Sequence, residues 1–105
     1  MYQEKRSRPK ISNPPESRPL RESVAEAVRA YLAARLATLG KPADTLVTST
    51  DLFAAGVLDS LALAALIAAV ERDAGCEIDF LDVDPDALGT VEGIVGELSG
   101  AATPR

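Results

Sequence analysis

Two nucleophilic side chains of this chain stand at helix boundaries, Ser60 and Cys76. Ser60 follows an acid in the run Gly56-Val57-Leu58-Asp59-Ser60-Leu61. It opens the most apolar stretch of the sequence, Leu61 to Val70. A hydroxyl at the mouth of a helix is exposed, so an enzyme can reach it. Serine is also among the commonest N-caps, and taken alone a cap explains Ser60. Asp59 reads in the same way as an acid interacting with the positive end of the helix dipole. The chain has no histidine. Ser–His–Asp and Cys–His catalysis are therefore excluded, and Cys76, just after a helix stop, reads as a small packing residue. Asp82-Val83-Asp84-Pro85-Asp86 invites a calcium reading. An EF-hand loop starting at Asp82 needs glycine at its sixth position and glutamate at its twelfth, where this chain has Ala87 and Gly93. A capped turn with solvated acids fits better. No glycine-rich phosphate loop, metal-ligand cluster or aromatic-basic patch is present in the sequence.

The elements that must position Ser60 follow from apolar spacing. Val24, Val28, Tyr31, Leu32, Leu36 and Leu39 form one stripe and predict a helix over about residues 20–39. Ser23 and Glu26 match a capping box, so it starts either before Leu20 or near Ser23. Gly40, with Pro42 beyond it, stops it. Residues 41–58 form a long connection with no period. Its apolar residues Leu46, Val47, Leu52, Phe53, Val57 and Leu58 can pin it to the core, and Thr50 can cap a single turn at Asp51–Ala54. The second helix runs from Ser60 to about Ala74, with Gly75 as its stop. Leu63, Leu66, Ile67 and Val70 share one face. Leu61, Ala62, Ala65, Ala68, Ala69 and Arg72 lie largely on the other, which is unusually apolar for a surface. Asp84 as N-cap and Pro85 at the first position predict a short third helix around Pro85–Leu88. The fourth helix runs from Thr90 to about Ser99, with Val91, Ile94, Val95 and Leu98 on one face. Gly93 and Gly96 are expected to weaken it by about 1 kcal/mol each relative to alanine. No strand and no internal repeat is expected.

Length and charge set the outer bounds. A chain of 105 residues is one domain at most, with a thin core. The net charge of −5 divides unevenly. Residues 1–21 hold six bases and two acids, whereas residues 22–105 hold five bases and fourteen acids. The acidic body repels nucleic acid and anionic membranes and is steered toward basic partner surfaces. Residues 1–18, with Pro9, Pro14 and Pro15 and few apolar residues, read as a disordered basic tail. The longest apolar run is too short to span a bilayer, and the N-terminus does not read as a secretory signal. One cysteine suits a reducing cytosol, so a cytoplasmic location is expected.

The segment Asp51-Leu52-Phe53-Ala54-Ala55-Gly56-Val57-Leu58-Asp59-Ser60-Leu61, taken as a unit with the downstream Glu77-Ile78, resembles the attachment site of acyl and peptidyl carrier proteins. The order of helices fits as well, and the resemblance covers residues 20–100. It implies an all-α fold: a four-helix carrier bundle over residues 19–100, with a long loop between the first two helices, a short third helix, and a C-terminal tail at 101–105. It implies a 4'-phosphopantetheine arm, derived from coenzyme A, on Ser60, with Asp59 orienting the site. A phosphodiester on Ser60 would meet a helix N-terminus, where anions are favoured. The implied partners are a phosphopantetheinyl transferase using coenzyme A and Mg²⁺, an acyl- or aminoacyl-loading enzyme, and a downstream transferase or synthase. The protein is then a monomeric, non-catalytic holder of a thioester. Partner contact is expected at Val57, Leu58, Leu61, Ala62, Ala65 and Ala69. Carriers of fatty-acid synthesis have acids along this face; here alanines occupy it, and only Glu71 and Asp73 stand at its far end. That points to a specialised biosynthetic pathway. The competing reading is an unmodified four-helix module that docks a partner through the apolar face of the second helix.

Overall fold

A computed structural model of the chain describes residues 19–42, 44 and 51–105. The expected basic tail at 1–18, and Leu46, Val47 and Thr50 of the long connection, lie outside the described residues.

Helix α1 spans Leu20–Leu39. Pro19 precedes it without a side-chain cap, and its carbonyl accepts from the amides of Glu22 and Ser23. The Ser23 capping box therefore does not set the start. Val24, Ala27, Val28, Leu32 and Leu36 are buried. Tyr31 is only half-buried and Leu39 is exposed, so the inner stripe is narrower than expected at its C-terminal end. Helix α2 spans Ser60–Ala74, and helix α3 spans Val91–Ala101 with the Thr90 hydroxyl accepting from the amide of Gly93. Gly40 and Gly75 end α1 and α2 with φ of 70° and 66°. Helix α1 packs against both α2 and α3. The shared core is aliphatic, and among the described residues no polar or charged residue is buried in it.

The expected short third helix is a single 3₁₀ turn, Pro85–Ala87, begun by the Asp84 carboxylate accepting from the amide of Asp86. A second 3₁₀ turn, Phe80–Asp82, precedes it, capped by Asp79. Among the described residues the structure is thus mostly helical, with three α-helices and the 3₁₀ turns Phe80–Asp82 and Pro85–Ala87. The expectation of no strand is corrected. Strand β1, Cys76–Ile78, pairs antiparallel with strand β2, Ala102–Pro104. Residues set apart as a C-terminal tail therefore close a ladder, and Ala101 is buried. Three-residue strands are too short to show a period of two, which is why the sequence conceals them. The Glu71 carboxylate accepts from the amide of Ile78 at 2.9 Å, tying α2 to β1. No helix among the described residues is long and apolar enough to cross a membrane.

The two α3 glycines differ in their surroundings. A Cβ on Gly96 would meet nothing within 4 Å. Gly96→Ala is therefore expected to stabilise the fold by about 0.5–1 kcal/mol, through helix propensity alone. Urea denaturation measures it, and a lower midpoint would mean that Gly96 serves a packing role.

Candidate functional site

The approach to Ser60 is a compact turn. The Asp51 carboxylate accepts from the amides of Phe53 and Ala54, both at 3.1 Å. Asp51 therefore caps this turn. Gly56, at φ 77°, reverses the chain in the left-handed region that a side chain would strain. The amides of Val57 and Leu58 then both donate to the Leu52 carbonyl, at 2.9 and 3.1 Å. Leu52 is fully buried, and its own amide donates to the Gly89 carbonyl at 2.6 Å. The loop is thus pinned to the segment that leads into α3.

Asp59 is extended, with φ −136° and ψ −176°, and its Oδ1 accepts from the amide of Ala62 at 2.7 Å. Asp59 is the N-cap, and Ser60 is the first helical residue. The reading of Ser60 as the cap is corrected. Its side chain is left exposed on the first turn, where backbone N–H groups lack intrahelical acceptors.

Arg35 of α1, which the sequence reading passed over, also reaches this place. Its Nε donates to the Val57 carbonyl at 2.8 Å, and its Nη2 lies 3.8 Å from Asp59 Oδ2. The only sequence hint is a charge beside the buried Leu36, because its partners lie more than twenty residues away.

The expected partner face is redrawn. Leu61 is 82% exposed, and Ala65 is exposed. Val57, Leu58, Ala62 and Ala69 are buried, at 0, 3, 5 and 7% exposure. At about 100° per residue, Ala62 and Ala69 turn toward the buried Leu66 and Val70. Val57 and Leu58 are drawn inward by their bonds to Leu52. The outer stripe of α2 is instead Leu61, Ala64, Ala65 and Ala68. Both acids of α2 have partners within the chain. Glu71 holds the Ile78 amide, and Arg72 donates to Asp73 at 2.9 Å, a bond that holds Asp73 below the usual carboxylate range.

Cys76 is buried, with its Sγ facing the Val70 carbonyl. Burial pushes its thiol upward, and the Glu71 charge adds to this. A buried thiol held toward its protonated form is a poor nucleophile. Asp79 and Asp84 accept from local amides, and among the described residues no group of three acids or cysteines gathers to hold a metal ion.

Residues 26–98, most of the chain, match the family described as the phosphopantetheine attachment site. The chain belongs to this carrier-protein family. No curated protein and no solved structure matches it. The family's prosthetic group is a covalently attached 4'-phosphopantetheine. The residues present fit such a group. An exposed hydroxyl at the positive end of a fifteen-residue helix suits a phosphodiester. When attached, the arm would supply a terminal thiol.

Proposed function

We propose that this carrier protein bears its arm on Ser60, and that it presents an acyl or aminoacyl thioester to partner enzymes of a specialised biosynthetic pathway. It catalyses nothing itself. The observation that carries this reading is the division of labour at the α2 N-terminus: Asp59 takes the cap, and the Ser60 hydroxyl is left exposed and uncommitted to it. In the transfer, Ser60 Oγ forms a bond to the β-phosphorus of coenzyme A and loses its proton to a base of the transferase. The P–O bond to 3',5'-ADP breaks, and 3',5'-ADP leaves. The test is incubation with coenzyme A, Mg²⁺ and a broad-specificity transferase, followed by intact mass and peptide mapping. One arm on the peptide containing Ser60 is expected. An unchanged mass, under conditions that convert a control carrier, overturns the proposal in favour of the unmodified interaction module.

Partner recognition then rests on apolar contact at Leu61, Ala64, Ala65 and Ala68. Exposed charge pairs are worth only about 0–1 kcal/mol each, and this stripe has no free acid to make them. Burying apolar surface yields roughly 25 cal/mol per Å², and small side chains allow close approach. Ala65→Glu is therefore expected to weaken coupling to the cognate loading enzyme at both low and high salt. Unchanged loading kinetics, or a wild-type affinity that collapses with salt, would count against apolar recognition. Ala69→Glu is not a usable variant, because it would bury a charge in the core.

A further inference from the structure

We infer that Arg35 is a positioning residue for Ser60; the inference rests on Ser60 being the attachment serine. Between Val57 and Ser60 the chain passes from fully buried to exposed within three residues. The Val57 amide is satisfied by Leu52. The carbonyl of this buried residue also needs a partner, since an unpaired backbone group out of water is costly. Arg35 supplies it, from the opposite side of the helical interface, through the 2.8 Å Nε bond.

The same guanidinium faces the next element of the site. Its Nη2 is 3.8 Å from Asp59 Oδ2, while the other Asp59 oxygen caps α2. One planar cation therefore spans a carbonyl of the buried end of the loop and the carboxylate that starts the helix. It does so from α1, whose neighbouring residues Leu32 and Leu36 are locked in the core. The exposed ion pair alone is weak, since Asp59 is largely solvated. The part-buried bond to Val57 is the stronger of the two contacts. A planar fork holds two acceptors at a set separation, and lysine cannot reproduce it.

The consequence lies in the transfer step. Ser60 Oγ must line up with a phosphorus atom in another protein's active site, where small misplacements slow the reaction steeply. The Leu61, Ala64, Ala65 and Ala68 stripe, which docks the partner in the proposed function, does not include Arg35. Loss of Arg35 should therefore act on kcat and not on KM.

The test uses the full chain as the varied substrate of a phosphopantetheinyl transferase, with wild type, Arg35→Gln and Arg35→Lys compared by mass spectrometry well below their melting temperatures. Arg35→Gln is expected to lower kcat about tenfold, the factor carried by one charge-assisted hydrogen bond, with KM for the carrier unchanged. Arg35→Lys is expected to resemble Arg35→Gln. A wild-type kcat in Arg35→Gln, or a loss confined to KM, would overturn the inference. Full activity in Arg35→Lys would overturn it too, by assigning the effect to charge alone. If both variants fail to fold, the residue is structural and the inference falls. Failure of the wild-type protein to accept the arm, or mapping of the arm to another residue, defeats the Ser60 assignment instead, so the two failures are distinct.

Discussion

Ser60→Ala is expected to abolish phosphopantetheinylation completely while leaving the thermal melt of the unmodified protein in place. The expectation follows from the geometry of the α2 start. Had Ser60 been the N-cap, its replacement by alanine would cost about 1 kcal/mol. Asp59 holds that position, with its carboxylate 2.7 Å from the Ala62 amide. Ser60 is the first helical residue, and alanine is the best helix former there. Asp59→Ala should give the complementary result: a loss of about 1 kcal/mol from the missing cap, which for a domain of this size lowers the melting temperature by about 4–8 °C. Asp59→Asn should recover most of that loss, because asparagine caps as well as aspartate does. Circular dichroism melts and intact mass after transfer read both properties on the same samples. An arm still added to Ser60→Ala would place the attachment elsewhere. An early melt of Ser60→Ala would show that the hydroxyl supports the helix after all.

Gly93→Ala should destabilise the protein, although helix propensity predicts the opposite. Alanine at a helix interior position gains about 1 kcal/mol over glycine. At Gly93, however, an added Cβ would overlap the Ala87 carbonyl oxygen and sit 3.1 Å from its carbon. These are backbone atoms in the 3₁₀ turn Pro85–Ala87, and they cannot swing aside as a side chain would. The turn is held by the Asp84 amide on Glu97 of α3, at 2.8 Å. To admit a methyl group, turn and helix must separate. The cost of such overpacking reaches about 3 kcal/mol, which exceeds the propensity gain. The melting temperature is expected to fall by about 10 °C or more, given the 4–8 °C that each kcal/mol carries. Gly96→Ala, on the same helix with open space around it, is the control. If Gly93→Ala melts with or above wild type, the close approach of turn to helix does not hold in solution.

These two glycines show where sequence reasoning stops. A propensity scale treats them alike, because the obstacle to Gly93 comes from a turn and not from its own helix. The limits of α1 and α2 were legible, since Gly40 and Gly75 follow apolar stripes of clear helical period. The Asp59-Ser60-Leu61 motif was legible too, but not which residue caps. Both Asp59 and Ser60 are good caps, and only the extended backbone of Asp59 decides between them. The burial of Ala62 and Ala69 is hidden in the sequence for a related reason. A helix rich in alanine has little polarity contrast around its circumference, so its inner and outer faces look alike until a neighbour packs against one of them. Arg35 was invisible because its contacts are long-range and begin on another helix.

The bond from the Leu52 amide to the Gly89 carbonyl makes the Ser60 loop and the entry to α3 one mechanical unit. A shift of the Gly89 carbonyl is therefore felt at the serine's approach without any contact to Ser60 itself. In hydrogen-exchange terms the Leu52 amide is a strain gauge for that coupling. Its exchange rate should rise whenever the loop loosens from the entry to α3.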